Sequence, residues 1–262
     1  CSRIQAKSGA STFFSRRSCC SSAARCSPAC GTNPARPMAH DAVAEALASR
    51  DAIVAAARVL YRTAPGRARL LQTLRPYICP FEDLLRWLPE TGRLLDVGCG
   101  AGLFAGLAGY SRPGIRAIGF DAEPGAVAAA QAMAHTHFSD GRIAFRHSAV
   151  GDPWPDGPFD VVSMIDVLHH IPPDAQQGAV LQCFDHVAPG GMLLYKDMAS
   201  RPLVPAWWNR LHDLFLARQW IHYRAISEVE NWLAMHGARI VGRGSRRLGL
   251  YAHEYIVATK PE

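Results

Sequence analysis

The fold of this chain is decided by the stretch Leu94-Leu95-Asp96-Val97-Gly98-Cys99-Gly100-Ala101-Gly102. An apolar run that leads into alternating glycines predicts a buried parallel strand that turns sharply into a helix, here over residues 103–110. Glycines let a ligand approach the backbone closely, and a helix N-terminus offers free N–H groups to its polar atoms. A dinucleotide-binding turn would need a third glycine where this chain has Leu103. The stretch therefore predicts a ligand-binding turn of another type.

Strand-like and helix-like segments alternate on the C-terminal side of this turn. The predicted strands are 115–121, 142–150, 159–166 and 192–196, followed by a hairpin of 238–243 and 252–259 joined through 244–249. Ala188-Pro189-Gly190-Gly191 reads as a tight turn into the fifth strand, and Ser227-Glu228-Val229-Glu230 as a capping box that opens a helix. This order predicts an α/β fold, namely a doubly wound, mostly parallel seven-stranded sheet with a C-terminal antiparallel hairpin. A helical prelude, residues 38–90, precedes it, and its proline-separated pieces include a helix over 66–74.

Two strand ends carry residues suited to a binding site. Asp121 ends the second strand, 23 positions after Gly98, close to the offset at which an acid meets ribose hydroxyls in nucleotide-binding units. It could instead cap the following helix. Asp166, His169 and His170 follow the fourth strand at the edge where open α/β sheets bind ligands. Either histidine could accept a proton near neutral pH, and the sequence does not choose between them.

The set of motifs resembles the class I S-adenosylmethionine-dependent methyltransferases. The resemblance covers about residues 90–262 and rests on the glycine turn, the strand-end acid, the fourth-strand motif and the Pro-Gly-Gly turn. It implies a Rossmann-like methyltransferase fold and S-adenosylmethionine as cofactor. We expect no metal, because His135 and His137 would lie on different helix faces and no second ligand pair accompanies Cys26 and Cys30. The residues that the resemblance assigns to the cofactor are Asp96, Gly98, Cys99, Gly100, Gly102, Asp121, Ala122, Ser148, Ala149 and Asp166. Among them Asp96 would meet the methionyl ammonium, and Ser148 with Ala149 the adenine.

The sequence indicates the methyl acceptor less clearly than it indicates the cofactor. Residues 202–224 form an amphipathic segment between the fifth and sixth strands, where this family often places its substrate cover. Arg218, His222 and Tyr223 in it are expected to line a substrate pocket, whereas its leucines are expected to pack on the sheet edge. No Asn-Pro-Pro-Tyr-like run follows the fourth strand. We expect a small-molecule acceptor that is methylated on oxygen. An RNA or protein methyltransferase and a catalytically silent cofactor-binding protein are the alternatives.

Composition separates the first 37 residues from the rest. They hold six arginines and lysines, no acid and five of the eight cysteines, whereas residues 38–262 hold 22 basic and 22 acidic residues. We expect residues 1–37 to be a disordered leader or a non-native extension, with an organellar transit peptide as the alternative. Residues 91–262 would be the methyltransferase domain. The neutral body argues against nucleic acid, no run is long enough to span a membrane, and the few remaining cysteines fit a cytoplasmic protein of unknown oligomeric state.

Overall fold

The computed structural model describes residue 47 and residues 49–199, 222–249 and 251–262. Its strands are β1 (Thr91–Val97), β2 (Gly114–Asp121), β3 (Ile143–His147), β4 (Phe159–Ile165), β5 (Val187–Met198), β6 (Arg239–Leu248) and β7 (Tyr251–Thr259). They form one seven-stranded sheet in the order β3-β2-β1-β4-β5-β7-β6. The first five strands are parallel, and β7 pairs antiparallel with both β5 and β6. The predicted doubly wound sheet with its antiparallel hairpin is confirmed.

Seven α-helices lie in the described part of the chain. They are α1 (Arg50–Leu60), α2 (Gly66–Ile78), α3 (Phe81–Leu85), α4 (Leu103–Ser111), α5 (Pro124–His137), α6 (Gln176–Asp185) and α7 (Ile226–Met235). Helices α1 and α3 to α5 cover one face of the sheet, and α6 and α7 cover the other. Adjacent residues of a strand point to opposite faces, so Leu94 and Leu95 of β1 are buried in different cores. This double burial explains why β1 is an unbroken apolar run.

Several predicted boundaries were wrong, each for a local reason. Helix α2 continues through Pro76 to Ile78, since a proline in the last turn removes a single hydrogen bond of the ladder. Helix α7 begins after Ala225, so Ser227 lies inside its first turn and no side chain caps it. The expected Pro-Gly-Gly turn lies within β5, where the register against β4 shifts and Gly190 has φ +73°.

The hairpin is also longer than predicted. Strand β6 continues to Leu248. Gly244, which was expected to belong to the connecting turn, lies within this strand. Residue 244 is a glycine because a Cβ there would come within 2.2 Å of the Tyr255 ring. The glycine therefore allows close packing and does not form a turn.

None of the helices in the described residues is long and apolar enough to cross a membrane. Residues 1–37 and most of 202–224 lie outside the described residues, so the leader, the insertion and the domain boundaries stay predictions.

Candidate functional site

The turn between β1 and α4 adopts backbone angles that favour glycine. Gly98, Gly100 and Gly102 have φ values of +65°, +54° and +81°, in the left-handed region. A Cβ at Gly98 would lie 2.4 Å from Val167 Cγ2, and a Cβ at Gly102 would lie 2.6 Å from the Phe145 ring. At Gly100 the nearest atom would be 3.7 Å away. The outer two glycines therefore allow close packing, while the central one leaves open space.

That open space belongs to a cavity of about 1190 Å³ at the carboxyl ends of the parallel strands. Its wall includes eight of the predicted site residues: Gly98, Gly100, Asp121, Ala122, Ser148, Ala149, Asp166 and His170. Six predicted residues do not form its wall, namely Asp96, Cys99, Gly102, His169, His222 and Tyr223. Arg218 lies outside the described residues. Cys99 is buried, and its amide donates to the Phe120 carbonyl at 3.0 Å. Its part in the site is to fix the turn.

Asp121 joins the glycine turn to the start of α5. Its Oδ2 accepts a hydrogen bond from the Gly100 amide at 2.8 Å, and its Oδ1 accepts one from the Glu123 amide at 2.9 Å. A carboxylate has about four lone-pair positions, so both oxygens can still accept hydroxyl groups. Asp121 therefore orders the turn and keeps accepting capacity at the cavity wall. The predicted alternative, a capping role, belongs to Glu123, whose side chain accepts from the Ala126 amide.

Ser148 and Ala149 follow β3 on the same wall. The Ser148 amide donates to the Asp121 carbonyl at 3.0 Å. The Ala149 amide, which the resemblance assigns to adenine, donates at 2.7 Å to Oδ2 of Asp152. The sequence analysis did not single out Asp152. The sequence feature that could have pointed to Asp152 is its position three residues after Ala149, a distance at which a carboxylate can accept a hydrogen bond from the backbone of its own loop.

Asp96 is a buried carboxylate below the turn. Its Oδ1 accepts from Ser163 Oγ at 2.7 Å across the β1–β4 pair, while its Oδ2 accepts no hydrogen bond from the described residues. Burial raises the pKa of Asp96 to about 6, against the opposing effects of the Ser163 hydrogen bond and the Arg75 charge. An ionised carboxylate with an unpartnered buried oxygen is suited to pair with a cation, although Asp96 itself lies beneath the cavity wall and does not form part of it.

Asp166 directly follows β4 and lies at the centre of an ion-pair cluster. Its Oδ1 pairs with the fully buried Lys196 of β5, and its Oδ2 lies 3.8 Å from Nη2 of Arg75 in α2. Although burial acts to raise it, the two cations hold the pKa of Asp166 well below its usual range. Asp166 also has φ +59°, a strained conformation for a residue with a side chain.

Arg75 and Lys196 pair with Asp166, and the sequence analysis missed both of them. Lys196 lies in an apolar strand, and a lysine is rarely buried without a charged partner. Its position in the sequence could therefore have indicated a buried ion pair. Arg75 lies far from the sheet in sequence and gave no signal.

The two histidines after β4 differ in their surroundings. His170 is exposed and forms part of the cavity wall. His169 is 3% exposed, and its Nδ1 lies 2.5 Å from Oδ1 of Asp197 at the end of β5. The two imidazole rings have centroids 4.2 Å apart. Asp197 thus orients the His169 ring, and the His169 ring packs against the ring of His170. Asp197 was missed, although an acid at the end of the neighbouring strand was readable.

His222 and Tyr223 contact the histidines and not the cavity. The His222 amide donates to the His169 carbonyl at 3.2 Å, and the Tyr223 ring lies 5.3 Å from the His169 ring. The Tyr223 hydroxyl donates to Met198 Sδ at 3.5 Å. These residues pack behind the cavity wall.

Comparison with known proteins identifies the family. Residues 68–242, more than half of the chain, match the model of a methyltransferase domain family. The chain belongs to the class I S-adenosylmethionine-dependent methyltransferase family.

Relatives and solved structures extend the match. A ubiquinone biosynthesis O-methyltransferase of Alkalilimnicola ehrlichii is 34% identical over 43% of this chain and 44% of its own length. A probable methyltransferase of Aspergillus luteorubrus is 30% identical over 54% and 50%. The matched part of the chain thus spans about half the length of these curated relatives. The solved magnesium protoporphyrin IX methyltransferase of Synechocystis, with bound SAH, is 19% identical with a TM-score of 0.60, covering 84% of this chain and 99% of that one, which shows the shared fold.

S-adenosylmethionine is the cofactor of this class, and the residues present fit it. Gly100 leaves open space on the cavity wall, and Asp121, which already accepts from the Gly100 amide, keeps accepting capacity on the same wall. Asp96 offers an unpartnered carboxylate oxygen. These groups match a sulfonium amino acid joined to a nucleoside, which brings an ammonium, a carboxylate and a ribose diol.

Proposed function

We propose that the protein transfers the methyl group of S-adenosylmethionine to an oxygen atom of a small-molecule acceptor. The observation that carries this proposal is the position of His170, which lies on the wall of the same cavity as Gly100 and Asp121. A proton acceptor beside the cofactor is what methylation of a hydroxyl requires.

The cofactor end of the cavity would be held by residues of the turn and its neighbours. Asp121 would accept the ribose hydroxyls, and Asp96 would face the ammonium. The Gly100 region and the guanidinium of Arg75 would hold the carboxylate, since Arg75 lies on the cavity wall and a Cβ at Gly100 would be 3.7 Å from its Nη1. When bound, S-adenosylmethionine supplies an electrophilic methyl group on a sulfonium sulfur.

The chain's own residues would position the acceptor and remove its proton. We assign removal of the hydroxyl proton to the imidazole of His170, because His170 is the histidine of the pair that lines the cavity. His169, held by Asp197, keeps the His170 ring in place. Holding donor and acceptor together supplies much of the rate in such a reaction.

Size and relatives support a small acceptor. A cavity of about 1190 Å³ is larger than a typical site for one small ligand, so it has room for a cofactor and a second molecule. The names of relatives include a ubiquinone biosynthesis O-methyltransferase and a trans-aconitate 2-methyltransferase of Streptomyces avermitilis, 31% identical over 45% of this chain. The open cavity argues against the catalytically silent alternative, for which side chains of 166–170 would have to block the cleft.

A methyl-transfer screen with labelled cofactor tests the proposal. The full chain is offered phenols, carboxylic acids, amines and RNA, and we expect label in a phenol or a carboxylic acid. With that acceptor, His170→Ala should lower kcat by about a hundredfold or more while the affinity for the cofactor is unchanged. His169→Ala and Asp197→Asn should lower kcat less and should shift its pH profile, because both act through His170.

A matched control is His236→Ala. His236 also pairs with a carboxylate, Asp185, at 2.8 Å, but it lies outside the cavity wall and its loss should leave kcat unchanged. Label found in RNA alone would overturn the small-molecule acceptor. Full kcat in His170→Ala would remove this residue as the base.

A further inference from the structure

Helix α2 has its apolar side chains on the outside. Toward the protein it buries Gln72 and Pro76, and the Oε1 atom of Gln72 accepts no hydrogen bond from the described residues. Its exposed apolar side chains are Leu70 at 59%, Leu71 at 53%, Leu74 at 47%, Tyr77 at 44% and Ile78 at 38%. At about 100° per residue these five fall within one third of the helix circumference. A surface helix in water normally shows the opposite arrangement, so this face indicates an apolar or interfacial partner.

Arginines surround this apolar face. Residues 52–81 contain five arginines and no acid. Three of them, Arg58, Arg62 and Arg69, line a second cavity of about 520 Å³ together with Leu70. None of the three makes an ion pair with another described residue. This cavity therefore presents uncompensated positive charge directly beside the exposed leucines.

We propose that this surface docks on an anionic lipid bilayer. The bilayer face, as we name it, consists of Leu70, Leu71, Leu74, Tyr77 and Ile78 with the groove of Arg58, Arg62 and Arg69. The apolar side chains enter the boundary between headgroups and acyl chains, and the arginines pair with lipid phosphates. Apolar and basic groups on one short helical surface are the combination that interfacial binding uses.

A second copy of the chain, another segment of this chain and RNA are the other possible occupants of this surface, and each fits it less well than a bilayer. A second copy would bring the same arginines against themselves, which is repulsive in a symmetric interface. Most of the chain outside the described residues has the same sign: residues 1–37 carry six basic residues and no acid, and residues 201–221 carry three arginines and one acid. Residues 38–46 are the exception, with two acids and no lysine or arginine, and nine residues are too few to cover both the arginines and the five apolar side chains. RNA would match the charge, but Tyr77 is the one aromatic on the face, and bases stack on aromatic side chains.

The proposal goes beyond methyl transfer and does not depend on it. Helix α2 also contributes Arg75 to the wall of the large cavity, so docking would hold that cavity at a lipid surface. Binding to vesicles is measured without turnover. It can therefore succeed or fail independently of the proposed reaction.

Vesicle sedimentation of the full chain tests the proposal. Vesicles of phosphatidylcholine with phosphatidylglycerol should bind the protein, pure phosphatidylcholine should bind it weakly, and added salt should lower the binding. The triple variant Arg58→Gln, Arg62→Gln, Arg69→Gln should lower partitioning by about a hundredfold. The double variant Leu71→Ser, Leu74→Ser should lower it by about tenfold or more.

Matched controls remove the same groups elsewhere. Arg116→Gln, Arg239→Gln, Arg247→Gln removes three other exposed charges, and Met235→Ser removes the apolar side chain that is 88% exposed in α7. Both should bind vesicles like the parent chain. Four results would overturn the proposal. The first is that anionic vesicles do not sediment the protein in any buffer. The second is that the bilayer-face variants bind as well as the controls. The third is that the leucine variant converts a dimer to a monomer, or lowers the thermal midpoint sharply, with vesicle binding unchanged. The fourth is that RNA binds where vesicles do not.

Discussion

At the scale of single residues, the buried Asp96 makes the most quantitative prediction. Its pKa is about 6 in the folded chain, compared with about 3.9 for an unperturbed aspartate. The folded state therefore binds this proton more tightly than the unfolded chain. The contribution of Asp96 to the free energy of unfolding falls as the pH rises from about 4 to about 6 and stays low above that range. Two pKa units correspond to about 2 to 3 kcal/mol.

Asp96→Asn removes the charge and keeps an oxygen for the Ser163 hydroxyl. We expect the cofactor-free variant to be about 2 to 3 kcal/mol more stable than the parent at neutral pH, and to show little difference at about pH 4. Urea unfolding of both proteins at the two pH values measures this. A variant that is less stable than the parent at neutral pH would show that the carboxylate is not destabilised by burial.

Residues differed in how well the sequence predicted them. Asp121 was predicted to lie at the site because its distance from Gly98 follows from the geometry of a strand–turn–helix unit. The two histidines could not be distinguished, since adjacent residues in an irregular segment have no periodicity that tells which one faces a cavity. Arg75 was unpredictable, because it reaches the cavity through the packing of α2 against the sheet.

At the scale of elements, the glycine turn couples β1 to the segment after β4. Gly98→Ala should place a methyl group against Val167 and force a side chain into a left-handed conformation. We expect a lower thermal midpoint, by about 2 to 4 °C or more, and a weaker affinity for S-adenosylhomocysteine. Thermal scans and calorimetric titration measure the two effects.

Gly178→Ala is the matched control for that substitution. Gly178 lies on the wall of the same cavity, but it is helical and a Cβ there would meet nothing within 4 Å. This variant should keep its affinity and gain slightly in stability, since alanine favours a helix over glycine. Equal losses in both variants would mean that added volume in the cavity, and not the turn, is responsible.

Elements were predicted well where a single pattern specified them. The parallel strands are buried on both faces, so they read as apolar runs that end in glycine or acid. Boundaries failed where tertiary contacts decided, as at Gly244, whose role depends on the Tyr255 ring of the neighbouring strand. The outward apolar face of α2 could not be recognised as such, because periodicity shows that a helix has two faces and not which one is buried.

At the scale of the whole molecule, the sheet order brings four strand ends to one cavity. The glycine turn follows β1, Asp121 ends β2, Ser148 follows β3, and Asp166 with His170 follows β4. Gly98 and His170, 72 positions apart in the chain, thus meet, because parallel strands point their carboxyl ends to the same edge. The central claim is that this meeting point binds S-adenosylmethionine.

Calorimetric titration of the full chain with S-adenosylhomocysteine tests that claim most directly. We predict one binding site per chain, a loss of affinity of about tenfold or more in Asp121→Ala as hydrogen bonds to a charged group are removed, and no binding of NAD. The thermal midpoint of the variant, measured alongside, separates loss of the ligand contact from loss of the fold. Absence of binding to the parent chain, or unchanged affinity in a folded Asp121→Ala, would contradict the account.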